Sequence, residues 1–331
     1  TGYDNTATGF EALYSNLSGN TNTAYGYQSM YSTNSGSFNT ASGYWSLYSN
    51  TTGFSNVAVG YRSLYANTQG YYNTAIGTRS LNANTEGNNN IALGAFALSY
   101  NTTGDNNTAA GYYALEANTE GFDNTACGFY ALANNTIGDY NTALGHRALN
   151  YNVANNGNTA VGYFAMRYAD NQTTGVNSYN TALGYEALRG SSTPSANTGT
   201  SNTAMGSFSM LSSTSGYSNV AVGVCALYSN TSRSNLVAVG DSALYANGSG
   251  ATLAYHATHN TAIGSKALMD NTWGYYNTAV GSHAMENNTS GHHNLAMGHF
   301  TFINNTTGSY NLALGDQASY SNSTGEYNLA I

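Results

Sequence analysis

The side chains able to do chemistry are few, and their spacing says little in favour of it. His283, His292, His293 and His299 lie close together in the sequence. They are the densest group of metal-capable side chains in the chain. A structural zinc site needs four converging ligands, and a catalytic one three plus water. These histidines sit at different repeat positions with no matching acidic pattern, so they read as surface polar residues. Cys127 and Cys225 also differ in repeat position and cannot pair with each other. They read as small buried hydrophobes. Acidic residues such as Asp4, Glu86, Asp105, Glu120 and Asp139 are scattered singly, unlike the dense aspartate columns of calcium-binding β-rolls. No carboxylate pair, Ser/His/Asp set or phosphate loop stands out. The sequence therefore predicts no catalytic residue, no metal and no cofactor, and the chain is not expected to be an enzyme.

What would position any site is a repeat covering the whole sequence. Ala75 stands in Asn73-Thr74-Ala75-Ile76-Gly77, and the same pattern recurs at 19 alanines from Ala7 to Ala330. Ala58, Ala75 and Ala92 show the regular interval of 17, which widens to 22 from Ala160 to Ala182, to 22 from Ala182 to Ala204 and to 24 from Ala238 to Ala262. Asn precedes the alanine by two places in 18 of the 19 copies, Leu236 being the exception. Such regularity marks a solenoid, in which each unit contacts its neighbours and length is free to grow. The 331 residues are therefore predicted to form one repeat domain, 1–331, with longer coils at 161–182, 183–204 and 239–262.

A helical coil is disfavoured. The longest glycine-free gap in the coil from Ala58 runs from Tyr61 to Gln69, nine residues. Helices that short are marginal alone, and Asn, Thr and Ser are poor interior helix residues. The anchor segment instead alternates with period two, as strands do. Thr74 and Ile76 point to one face, with Val57 and Val59 in the same columns. Asn73, Ala75 and Gly77 point to the other. The first face is a ladder of β-branched and aliphatic side chains suited to a parallel sheet, and its residues are the candidate interface. On the second face the Asn column is predicted to hydrogen-bond from coil to coil. Gly77 marks a position with positive φ or no room for Cβ. Leu81 heads the large apolar column that fills the interior behind Ala75. The predicted fold is all-β, a parallel β-solenoid of about 18 coils spaced roughly 4.8 Å apart, or roughly 85 Å in length.

The Asn-Thr/Val-Ala-Val/Ile-Gly strand followed by Ala-Leu resembles the head repeats of trimeric autotransporter adhesins, whose motif ends in Ala-Ile-Gly. It is also similar to the Asn-Thr-Ala-x-Gly-x-x-Ala-Leu arrays of bacterial surface proteins and phage tail-fibre-like proteins. The resemblance spans the whole chain but rests on a short motif, and the adhesin coils are shorter than the coil of this chain. It implies a left-handed β-roll, a homotrimer with the Thr/Val and Ile/Val ladder toward the three-fold axis, and a place outside the cell or on its surface.

Composition narrows the partners. Charged residues make up 7% of the chain, and seven Lys and Arg with a net charge of −8 argue against nucleic acid. The sequence contains no apolar run long enough to cross a membrane. Both ends follow the repeat, so either caps lie elsewhere in a longer chain or subunits stack end to end. The long coils supply candidate binding loops at Asp170–Tyr179 with Asn171, Gly190–Thr200 with Pro194, and Gly248–His259 with His256. Among 30 tyrosines, Tyr27, Tyr44 and Tyr61 form a column that could meet glycans or other surfaces, or shield neighbouring coils. Asn50, Asn101, Asn230 and Asn305 begin Asn-x-Ser/Thr sequons in loop positions and are candidate glycosylation sites. The expected function is an extracellular structural one: a subunit of a surface fibre or filament, with adhesion as a further role. The alternatives are a trimeric adhesin or tail-fibre head and, from the Thr column, an ice-binding solenoid.

Overall fold

The computed structural model describes residues 2–169 and 171–331. It is a parallel β-solenoid with a 17-residue coil and 19 short strands. Two compact units build it. The first comprises residues 2–158 with 171–176 and carries β1 (Thr6–Thr8) to β9 (Thr142–Leu144). The second comprises 159–169 with 177–331 and carries β10 (Thr159–Val161) to β19 (Leu329–Ala330).

Within each unit the strands pair in parallel and in register. In the first, β5 (Thr74–Ile76) sets Thr74 beside Ile91, Ala75 beside Ala92 and Ile76 beside Leu93. In the second, β15 (Thr261–Ile263) sets Ala262 beside Ala279 and Ile263 beside Val280. The register follows from the period: shifting by one residue would move every alanine to the open face.

Most of each coil lies outside its three-residue strand. The chain turns at residues of left-handed backbone. In the coil after β5, Gly77 has φ 137°, Arg79 55°, Leu81 48° and Asn89 57°. Left-handed conformation is ordinary for glycine but uncommon for residues such as Arg and Leu. It is tolerated because the backbone bonds outside the strands also run from coil to coil. Arg79 N–H donates to Tyr61 O at 2.9 Å and Leu81 N–H to Ala97 O at 3.0 Å. Those bonds satisfy backbone groups that a tight coil would otherwise bury unpaired.

The core is thin and half polar. Ala75 and Leu81 are fully buried, and so are Asn73, Asn84 and Ser80. Asn73 Nδ2 donates to Gly87 O at 2.8 Å, and Asn73 N–H donates to Asn56 Oδ1 at 3.0 Å. A second asparagine column lies beside it and shares its carbonyl acceptors. Asn84 Nδ2 donates to Asn67 Oδ1 at 2.8 Å and to Gly87 O at 3.0 Å, and Asn101 Nδ2 donates to Asn84 Oδ1 at 2.8 Å. The buried amides of Asn73 and Asn84 are thus shared by neighbouring coils, which is how a polar core avoids a desolvation penalty.

The long coils keep the strand register and place their extra residues outside it. Residues 171–176 return to the first unit, where Asn156 N–H donates to Val176 O at 3.0 Å. Pro194 opens a single 3-10 turn, Pro194–Ala196, where proline's fixed φ suits the first position. Around Gly248–His259, Arg233 reaches the carbonyls of Leu253 at 2.9 Å and Ala251 at 2.7 Å.

Candidate functional surfaces

The strand face is the most uniform surface. Ala75 points inward, so its neighbours Thr74 and Ile76 point out. Ile76 is 44% exposed and Leu93 40%, with Val59, Leu144, Leu183, Met205, Ile263 and Met297 exposed in the same column. Val57 and Thr74 are half-buried on the preceding column. Neither column carries a charged residue at any of the described strands. Cys127 lies in the Ile76 column and is exposed, while Cys225 is half-buried. The expectation of buried cysteines is therefore wrong for both. The Ile76 column faces out of the coil, and Cys225 shares its corner column with Arg62 and Arg79, which is not a core column. Desolvation and the charge of Asp241 raise the Cys225 thiol above its usual range.

Aromatic rings form continuous stacks on other corners. Tyr14, Tyr31, Tyr48 and Tyr65 stack at 5.2, 5.1 and 5.3 Å between centroids. Phe10, Tyr27, Tyr44 and Tyr61 stack at 5.2, 4.9 and 5.8 Å. The spacing of parallel strands, about 4.8 Å, imposes this separation. Because each ring face covers the next, Tyr27, Tyr44 and Tyr61 present mainly edges and hydroxyls outward. That geometry favours shielding of neighbouring coils over a flat platform for a sugar. Between the columns, Gln28 Oε1 accepts from Trp45 Nε1 at 2.7 Å, and Arg62 lies 4.3 Å from the Tyr65 ring centroid. Tyr113 is pushed up to about 12 by its hydrogen bond with Tyr112 and by desolvation.

The sequon asparagines are misplaced by a loop reading. Asn50, Asn101 and Asn230 are fully buried and Asn305 is 1% exposed. Asn50, Asn101 and Asn305 belong to the inner amide column, where Asn67 Nδ2 donates to Asn50 Oδ1 at 2.8 Å and Asn305 Nδ2 to Asn288 Oδ1 at 2.9 Å, while Asn230 Nδ2 donates to Arg233 O at 3.1 Å inside its own coil. A glycan on any of the four would have to occupy the coil interior, so none is a glycosylation site in this fold. The signal was present in the sequence, since Asn50, Asn67, Asn84 and Asn101 recur at the repeat interval. The hydroxyl residue two places on made Asn50, Asn101, Asn230 and Asn305 resemble sequons instead of members of a ladder.

The loop candidates lie apart in the chain. Asn171 is exposed, and Asp170 lies outside the described residues. Pro194 is half-buried beside Asn197, whose Nδ2 donates to Ser191 O at 2.8 Å. His256 stacks on Trp273 at 5.7 Å.

The four clustered histidines separate by corner, and two have acidic partners that the sequence pattern concealed. His283 Nδ1 lies 2.6 Å from Glu286 Oε2, and His299 Nδ1 lies 3.2 Å from Asp316 Oδ1. His292 and His293 face each other instead, Nδ1 to Nδ1, at 3.0 Å. Burial, then the charge of His293, lowers the His292 pKa below the usual range. Among the described residues, no group of three or more His, Cys, Asp or Glu converges for a metal.

No protein-family model and no curated protein sequence matches the chain.

Proposed function

We propose that this protein is a non-enzymatic structural subunit of an extracellular surface fibre or filament, with adhesion as a further role. The observation that carries this reading is the uncharged strand face. In most coils the residue after the anchor alanine is Val, Ile, Leu or Met, and Val59, Ile76, Leu93 and Leu144 in the first unit and Leu183, Met205, Ile263 and Met297 in the second are exposed in the single chain. Large exposed apolar patches on soluble chains mark interaction surfaces, and a column of identical character along the repeat suits a second copy of the same chain. The polar uncharged composition supports a place outside the cell, and the resemblance to adhesin head repeats supports self-association, as a homotrimer or end to end. No nucleic acid, membrane insertion or cofactor enters this reading.

The test is electron microscopy of purified native material, with mass by light scattering on the same sample. Fibres with an axial repeat near one chain length support the filament. Discrete particles of three-chain mass support the adhesin or tail-fibre head instead. A double variant, Ile76→Lys with Leu93→Lys, introduces charge on the exposed column without touching the core and should reduce the assembly to single chains. Cys127 gives an independent reading, because maleimide labelling at this thiol should be slower in assembled material than in that variant. A wild-type monomer with fully reactive Cys127 would refute self-association. It would then bring forward the half-exposed Thr column and ice binding, read by thermal hysteresis.

A further inference from the structure

His292 and His293 are held by the aromatic stacks. His292 stacks on Tyr275 at 4.7 Å and meets Tyr310 edge-on at 5.3 Å. His293 stacks on Tyr310 at 4.9 Å and lies 5.1 Å from Tyr276 on its other side. The backbone is fixed as well: His292 N–H donates to Ser309 Oγ at 3.1 Å, and His293 N–H to Tyr275 O at 3.1 Å. Two imidazoles are therefore locked with their Nδ1 atoms 3.0 Å apart. Preorganised rotamers of this kind are what separates a chelate from two chance surface histidines.

We propose that His292 and His293 form a two-imidazole chelate for a divalent transition-metal ion of the copper(II) or nickel(II) class, bound through both Nδ1 atoms with water completing its shell. The 3.0 Å contact, that of a hydrogen bond, shows that both nitrogens can reach one ion, and the two-imidazole set points to the class. With metal–nitrogen bonds of about 2.0–2.1 Å, nitrogens 3.0 Å apart subtend about 94° at the metal. That is close to adjacent corners of the tetragonal arrangement copper(II) and nickel(II) prefer. A structural tetrahedral zinc would need further protein ligands, and the other two histidines of the cluster are engaged by Glu286 and Asp316.

Without metal, one Nδ1 carries a proton and the other accepts it. On binding, that ring moves its proton to Nε2, both rings stay neutral, and both Nδ1 lone pairs go to the metal. Glu326 occupies the column of His292 two coils on, after Ser309. It acts electrostatically on His292 and offsets part of the added positive charge.

The experiment is titration of the full chain with copper(II) alone in a non-coordinating buffer, by calorimetry, with electron paramagnetic resonance of the loaded protein. One copper per chain at this pair is expected, with hyperfine coupling from two nitrogens. His292→Phe and His293→Phe keep an aromatic ring in the stack and remove the ligand. Each should weaken binding about tenfold or more, at least as much as losing a group that only orients a ligand. His299→Phe should leave the affinity unchanged. Equal affinity in wild type and both Phe variants would overturn the site. So would coupling to a single nitrogen in the wild-type spectrum, a result that does not depend on any variant folding. Copper(II) binding more tightly than zinc(II) follows from the general affinity order and does not count in favour.

Discussion

Replacing Asn84 by Ala tests whether the inner amide column holds the coils together. In the fold, Asn84 makes three side-chain hydrogen bonds: to Asn67 Oδ1, to Gly87 O and from Asn101 Nδ2. Gly87 O keeps the bond from Asn73 Nδ2, and Asn101 Nδ2 keeps the one to Gly104 O. Asn67 Oδ1 loses its partner inside the coil. Three bonds at about 0.5–1.5 kcal/mol each give a loss of about 2–4 kcal/mol, the upper part reflecting the orphaned oxygen. Urea unfolding followed by circular dichroism reads the shift, with Glu86→Ala, an exposed position, as a control expected within about 0.5 kcal/mol. Hydrogen exchange should locate the loosening in the coils bearing Asn67 and Asn101, because each coil depends on its neighbours. If Asn84→Ala shifts stability no more than Glu86→Ala, the amide column is not a stabilising element and the argument for a polar core fails.

Other changes test other parts of the coil. Gly77→Ala would force a left-handed φ of 137° on a residue with Cβ and set that atom 2.5 Å from Gly94 O; it should cost at least about 2–3 kcal/mol in urea unfolding. Tyr31→Ala removes two ring stacks and should cost about 1–3 kcal/mol, whereas Tyr31→Phe keeps both and should be close to neutral in the same assay. Ser55, at φ 54°, carries the cost of a left-handed L-residue, so Ser55→Gly should stabilise by about 1 kcal/mol, and a loss of that size would contradict the backbone assignment. Expressed in a host that glycosylates sequons, the folded chain should carry no glycan at Asn50, Asn101, Asn230 or Asn305, as read by peptide mass.

The period and the phase of the strands were legible in the sequence. Strict alternation around Ala75 fixed which residues point in, and the structure puts Asn73, Ala75 and Leu81 inside with Ile76 out. The Gly77 column was readable too, since only glycine combines that φ with a carbonyl so close. The path of the chain between strands was not readable. It depends on Arg79, Leu81 and Asn89 in left-handed backbone, and nothing about Arg or Leu announces that conformation.

From this one gap came the errors at the surface. Period and alternation are local properties, and the sequence by itself determined them: a parallel β-solenoid with one small inward face and one aliphatic outward face. Which corner residues lie inside depends on how sharply the coil closes, and the tertiary structure alone decided that. It turned Asn50 and Asn101 from loop sequons into core ladder residues, and the corner residue Cys225 from a buried side chain into a half-buried one. It also paired His283 with Glu286 and left His292 facing His293. His299 and Asp316, a whole coil apart, likewise meet only once the backbone turns are set, and those turns are held by hydrogen bonds between coils that no single repeat contains.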